Sequence, residues 1–376
     1  TRTDPIRLRL AELQLALARH QIDAVLVPSA DPHLSEYLPG RWQGREKFSG
    51  FTGSMGTLVV LRDRAVVFAD SRYWVQAERE LAATGVELMK IPTGAGTHHI
   101  DWLAANLPEG ATLAVDAAVL SLAMGKILAD TMAARGVAVR TDIDMLDQAW
   151  PDRPGMPQAK VYEHLAPHAP TPRGAKLDVL RAGMARHGAT HHFVSTLDDI
   201  CWITNLRGAD VEYNPVFCAH LLVGNGAATL FVDASKFDAA LVARLAADGV
   251  ALAPYAEATA ALAALPAGST LLLDPRRITL GFRQAVASGV RVVEAPNPSM
   301  LAKARKSEAE ADHVRETMER DGAAMCAYYA WFEAALGREA ISELTVDERL
   351  SAERARQQGF VGLSFSTIAG FNANGA

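Results

Sequence analysis

Trp150-Pro151-Asp152-Arg153-Pro154-Gly155-Met156-Pro157 divides this chain. Three prolines and a glycine in eight residues suit neither a helix nor a strand interior, because proline lacks the N–H that either ladder uses. The stretch reads as a linker, so its two flanks can be compared. Before it, Asp4-Pro5 supplies an N-cap with proline at the first helical position. Leu8, Leu10, Leu13, Leu15, Leu17 and Ala18 then form a broad apolar face. A β-rich run follows, Ala24-Val25-Leu26-Val27, and residues 57–61 and 65–69 around Arg62-Asp63-Arg64 read as a hairpin. Helices near 73–83 and 120–134 alternate with strands near 88–91, 113–115 and 137–139, a mixed α/β pattern.

After the linker the order restarts: a helix near 177–186, a strand at Phe193-Val194, a hairpin around Gly224-Asn225-Gly226 and a strand at 229–232. Val25-Leu26-Val27-Pro28-Ser29 matches His192-Phe193-Val194-Ser195-Thr196, and Phe68-Ala69-Asp70-Ser71-Arg72 matches Phe231-Val232-Asp233-Ala234-Ser235-Lys236. Self-similarity on this scale indicates a duplicated domain rather than a solenoid. The expected division is 1–150, 151–300 and 301–376.

The last of these opens on a capping box, Ser307-Glu308-Ala309-Glu310. Val314, Met318, Gly322, Met325, Tyr329, Phe332 and Leu336 follow as one face of a long helix ending at Gly337. A second box, Thr345-Val346-Asp347-Glu348, starts another helix, closed by Gly359, before a strand-like run at 363–368. Two helices and one strand are too little for an independent core, so the chain reads as cut mid-domain.

The 376 residues are 49% hydrophobic and 21% charged, with a net charge of −6. That composition fits a soluble globular protein and gives no basic field for nucleic acid or an anionic membrane. No apolar run reaches the ~20 residues of a membrane span. Cys201, Cys218 and Cys326, an odd number among apolar neighbours, read as reduced core thiols, consistent with the cytoplasm.

Most polar clusters have an ordinary explanation. Asp198-Asp199, if on a strand, would point to opposite faces and could not share a site. His98-His99 and His191-His192 lack partners at ligand spacing. Gly94-Ala95-Gly96 lacks the rest of a dinucleotide or phosphate loop, and Ser29, Ser54 and Ser195 sit in no nucleophile elbow. Two stretches at strand ends carry denser polar sets. They are Pro28 to Tyr37, with Asp31 and His33, and Asn205 to Pro215, where Arg207 could pair with Asp210 or Glu212.

Pro28-Ser29 to Ser35-Glu36-Tyr37, Ser49-Gly50-Phe51-Thr52-Gly53-Ser54-Met55-Gly56-Thr57, Ala69-Asp70-Ser71-Arg72-Tyr73, Trp150 to Pro154, Asn205 to Phe217 and Leu363 to Ala376 together resemble the long, three-domain Xaa-Pro aminopeptidases. The motifs run in order along the whole chain. The resemblance implies an α/β fold: two tandem creatinase-like N-terminal domains, then the beginning of a pita-bread α+β peptidase domain. It implies a cytoplasmic homodimeric metallopeptidase acting on peptides with proline at the second position. Two Mn2+ ions per active site would hold the hydroxide that attacks the scissile carbonyl. The family's metal ligands would fall beyond Ala376, so no catalytic or metal-binding residue is assigned here and the chain alone is expected to be inactive.

One family site maps onto these residues. The arginine of Asp70-Ser71-Arg72-Tyr73 resembles a substrate-binding residue, and a guanidinium suits a peptide carbonyl or carboxylate because it stays charged and binds bidentately. Prolidase- or creatinase-like hydrolases are the nearest alternative, but those relatives carry one such N-terminal domain. A non-catalytic protein-binding module, as in some histone chaperones, is a third; no acidic tail supports it.

Overall fold

The computed structural model describes residues 4–92 and 96–375. The reading of Gly94-Ala95-Gly96 as a loop turn therefore falls largely outside the described residues. Two six-stranded mixed sheets form the framework, one on each side of the linker. The first contains β1 (Ala24–Pro28), β2 (Thr57–Leu61), β3 (Ala65–Asp70), β4 (Glu87–Ile91), β5 (Thr112–Ala114) and β6 (Ala138–Arg140), in the order β4-β3-β2-β1-β5-β6. A small ladder pairs β7 (Tyr162–Glu163) with β9 (Leu206–Arg207). The second sheet uses β8 (His191–Val194), β10 (His220–Gly224), β11 (Ala228–Phe231), β12 (Val250–Ala253), β13 (Thr270–Leu273) and β14 (Arg291–Glu294), in the order β12-β11-β10-β8-β13-β14.

The sheets share one pattern of directions. β2 lies antiparallel between β1 and β3, as β10 does between β8 and β11. The outer pairs β3–β4, β1–β5 and β5–β6 are parallel, as are β11–β12, β8–β13 and β13–β14. Both sequence matches occupy equivalent places, at the ends of β1 and β8 and of β3 and β11. Asp70 and Asp233 even play one role, each side chain capping a short 3-10 turn.

Both faces of the central strands are covered, which explains their nearly unbroken apolar runs. Alternation sends Val25, Val27, Leu58, Val60 and Val67 into one layer and Leu26, Val59, Val66 and Phe68 into the other. The first layer is closed by the helix Pro5–Arg19, capped by Asp4 through Ile6 N–H at 2.8 Å. Its buried stripe is Leu10, Leu13, Ala16 and Leu17. Leu8 and Leu15 are exposed, so the face is narrower than the sequence suggested, because a helix on a sheet buries only positions three and four apart.

The linker is irregular but anchored. Trp150 is buried in the first core beneath the Lys47 ammonium, and the nearly buried Arg153 side chain bridges Asp144 and Asp147.

The domains also meet along a symmetric joint. Register aligns β5 with β13, and Asp116 with Asp274, Leu120 with Ile278, Ser121 with Thr279 and Leu122 with Leu280. The Leu122 N–H donates to Ile278 C=O at 2.9 Å and, reciprocally, Leu280 N–H to Leu120 C=O at 2.8 Å. Ala123 N–H to Pro275 C=O and Gly281 N–H to Ala117 C=O form a second reciprocal pair. Leu122 joins the core of the second domain, while Leu280 also packs on that of the first.

Beyond residue 297 the structure is helical: Pro298–Ala304, Glu308–Ala335 and Glu343–Ala355. The Ser307–Glu310 capping box forms as expected. The second box does not. Ser342 caps the last helix through Thr345 N–H, so the helix starts earlier, with Glu343 in its first turn where the dipole favours an acid. The stripe on the long helix is periodic but outward, with Val314, Met318, Tyr329 and Leu336 exposed and Ala324, Tyr328 and Ala335 buried. Residues 363–368 form no strand, since no described segment pairs with them, and Ile368 is 88% exposed.

Candidate functional site

Arg72 stands where β3 ends. The Asp70 carboxylate is buried and accepts the Arg72 backbone N–H at 3.1 Å, which turns the chain sharply. It also accepts Nε at 3.0 Å and Nη2 at 2.8 Å, gripping one edge of the guanidinium in a fork. Five donors are available and Asp70 takes two, so the outer edge has no partner among the described residues, on a side chain that is 62% exposed. Each partner favours the other's charge, holding Asp70 below the usual carboxylate range and raising Arg72.

The surface under Arg72 is rigid. Its guanidinium lies 5.1 Å from the Tyr73 ring centre, and the Tyr73 hydroxyl meets Ser54 Oγ at 2.5 Å. Phe51 packs edge-on against Tyr73, Thr52 is tied to Glu80, and the buried Arg45 lies over Phe51 and donates to Gly53 C=O. Gly53 is required by space: a Cβ there would overlap the Phe51 ring and come within 2.8 Å of Tyr73 Cδ1. Gly53→Ala should therefore cost about 1–3 kcal/mol by overpacking and lower the melting temperature. A melt unchanged from the parent would refute this packing account.

The two polar stretches meet elsewhere, at the seam between the domains. Asp31 is buried and its Oδ1 accepts the N–H groups of His33 and Ser35 at 2.9 and 3.0 Å. His33 Nδ1 lies 2.8 Å from Ser195 C=O, which can only accept, so Nδ1 carries the proton and Nε2 accepts from Tyr255 O–H at 2.9 Å. His220 stacks on His33 at 4.5 Å and bonds Ser195 Oγ through Nδ1 at 2.9 Å. Burial lowers both imidazoles, His220 far below 6.5. Trp42, Leu197, Val211 and Cys218 form the apolar part of the seam.

Arg207 and Asp210 do not pair. Arg207 donates to the carbonyls of Cys201 and Leu206, both at 2.9 Å, because it lies in β9 against β7. Asp210 binds Lys236 Nζ at 2.5 Å and accepts from Cys218 N–H at 2.7 Å, both side chains being almost wholly buried. This stretch is internally satisfied.

Asp198 and Asp199 lie in the first turn of the helix Leu197–Thr204, not on a strand, and Lys303 pairs with both. Of the serines, Ser29 Oγ is spent on Gly56 C=O. Cys201 and Cys218 are buried, with Cys201 pushed up to about 12, whereas Cys326 is exposed and is no core thiol. His220 and Tyr255 carried no sequence signal of their own, and Lys236 only its place at the end of a repeat match.

Among the described residues, no three His, Cys, Asp or Glu side chains converge as a metal site, so the donor set does not fit a di-nuclear centre. No described helix is long and apolar enough to cross a membrane.

Comparison with known proteins fits this architecture. Models of the creatinase/prolidase N-terminal domain match residues 9–147 and 152–310. A probable Xaa-Pro aminopeptidase P from Botryotinia fuckeliana is 33% identical over 384 residues, covering 98% of this chain and 58% of that protein. Aminopeptidase P2 of Arabidopsis thaliana is 32% identical over 388 residues, covering 94% of this chain and 54% of that protein. The X-prolyl aminopeptidase of Caenorhabditis elegans, a cytosolic enzyme with a di-nuclear active site, superposes with a TM-score of 0.89 at 25% identity, over 96% of this chain and 61% of that one. The chain thus spans little more than half the length of the curated relatives it matches. It belongs to the creatinase/prolidase N-terminal domain family, carrying two such domains in tandem.

Proposed function

We propose that the protein acts as a metal-dependent Xaa-Pro aminopeptidase, releasing the N-terminal residue of peptides with proline in second place. The observation that carries this chain's part in it is Arg72, whose one edge is fixed by a buried carboxylate while the other has no partner among the described residues. Arg72 binds a peptide carbonyl or carboxylate on that outer edge, and Asp70 and Tyr73 hold it in place. The described residues offer no metal ligand set, so their contribution is binding and framing, and residues 1–376 alone should release no amino acid from Arg-Pro-Pro.

The reading extends to two manganese ions per active site, a homodimer and a cytoplasmic location. It is supported by the family membership and by the di-nuclear, cytosolic C. elegans relative. It divides the chain into units 1–150, 151–300 and 301–376, supported by the two sheets and the extents of the family matches.

The test is cleavage of Arg-Pro-Pro, with manganese, by the protein from its native source. Free arginine from this peptide but not from Arg-Ala-Pro is the expected result; equal cleavage of both would overturn the specificity. In that protein Arg72→Ala removes a charge-assisted hydrogen bond worth about 1.5–3 kcal/mol, a loss of roughly 10- to 150-fold in kcat/KM. Arg72→Lys should recover only part, lacking the fork. An Arg72→Ala enzyme with unchanged kcat/KM would remove Arg72 from the substrate site.

A further inference from the structure

Along the carboxyl edge of the first sheet, on the opposite side of β1 from Arg72, a cleft of about 390 Å³ opens between the domains. Asp116 follows β5 and Asp144 follows β6 on one wall; Tyr255 follows β12 and Thr279 follows β13 on the other. In open α/β sheets, ligands gather at the carboxyl ends of parallel strands, and here two such edges face each other. The volume lies within the range of small-molecule sites.

The repeat shows what is unusual about Asp116. Its counterpart Asp274 is fully used: Oδ1 accepts Arg276 N–H at 3.0 Å and Oδ2 accepts Asn297 N–H at 3.1 Å. Asp116 keeps only the first of these bonds, from Ala118 N–H at 2.8 Å. Strand register puts Asp144 where the second domain has Asn297; among the described residues its backbone N–H makes no bond to Asp116, and its side chain brings a second acid beside it. Asp144 is neutralised by Arg153, and no described Lys or Arg pairs with Asp116. Burial and Asp144 push the Asp116 carboxyl up to about 6.

Thr279 supplies an independent sign. Its counterpart Ser121 caps a helix through Met124 N–H at 3.2 Å. Thr279 makes no such bond; it is fully buried, lines the cleft, and its hydroxyl has no partner among the described residues. The rings of Tyr255, His220 and Phe282 complete the wall, and no described Lys or Arg lines the cleft. An acidic floor beside aromatic rings suits an organic cation, through ion pairing and cation–π attraction.

We propose that this interdomain cleft binds a small organic cation, its ammonium or guanidinium on Asp116 and within reach of Thr279, its hydrocarbon part against Tyr255 and Phe282. The inference does not depend on peptidase activity.

The test is calorimetric titration of the 376-residue chain with 3-methylbutylamine, with 3-methylbutanol as the uncharged analogue and calcium ion alone as the inorganic control. At pH 7.5 the amine should bind at least tenfold more tightly than the alcohol. Asp116→Asn should weaken it at least tenfold, and Thr279→Val severalfold. Affinity should also fall between pH 7 and 5 as Asp116 takes up a proton, a measurement that needs no variant. Equal binding of amine and alcohol, an unaffected Asp116→Asn protein, a pH-independent affinity, or calcium binding without amine binding would each overturn the proposal.

Discussion

Asp210→Ala should melt roughly 6–20 °C below the parent protein, from a loss of about 3–5 kcal/mol. The reason is what it leaves behind. The Lys236 side chain is 2% exposed and its partner is Asp210, whose own side chain is fully enclosed, so the substitution strands an ammonium in the interior. Cys218 N–H loses its acceptor in the same step. Asp210→Asn should fall between, keeping an acceptor but losing the ion pair. The double replacement Asp210→Ala with Lys236→Met should regain stability over Asp210→Ala, since both charges are gone. An Asp210→Ala melt within 2 °C of the parent would show that Lys236 escapes to solvent and that the pair does not hold this loop.

Acidification should loosen the domain pair between pH 6.5 and 5. His33, His192 and His220 are almost fully buried, and burial lowers each below its ordinary 6.5. As pH falls through 6.5 the unfolded chain takes up protons that the folded chain refuses, so stability is present above 6.5 and drains away below it. The three shifts share one direction, so their effects on stability add as the pH falls. For His33 the cause is visible: a proton on Nε2 would displace the bond from Tyr255 and set a cation against the His220 ring. Asp116 acts in the opposite sense, since a carboxyl raised to about 6 gains stability as it protonates, but one acid does not offset three histidines. Melting temperatures at pH 7.5, 6.5, 5.5 and 5.0 should decline steadily, and His33→Gln should start lower and decline less. A flat profile would contradict the neutral, buried state of these rings.

The fold was legible where the sequence repeats itself or breaks its own ladders. The prolines of 151–157 mark the domain junction, and the matched runs at β1 and β8 and at β3 and β11 are short, apolar and ended by the same turn chemistry. Capping was legible at Ser307, where one candidate stood alone, but not at Thr345, where Ser342 competed three residues earlier. Burial on the long helix was not legible, because periodicity states which residues share a face and says nothing of whether that face is covered. Arg72 was visible only through a motif, since its spacing is that of any surface arginine. The seam was half visible: Asp31 and His33 stood out as polar residues at a strand end, but Ser195, His220 and Tyr255 lie far from them in sequence and meet them only after two domains dock.

The reciprocal bonds across the joint have a consequence for how the halves could diverge. Residue pairs that answer each other in both directions are the contact pattern of a two-fold homodimer, in which every substitution is made twice and must suit itself. Carried on one chain, the same joint is released from that rule, and a change on one side need not be echoed on the other. Asp144 against Asp116, where the other half keeps Asn297 against Asp274, is such an unechoed change. On one chain, the two sides of a symmetric contact can take up separate tasks.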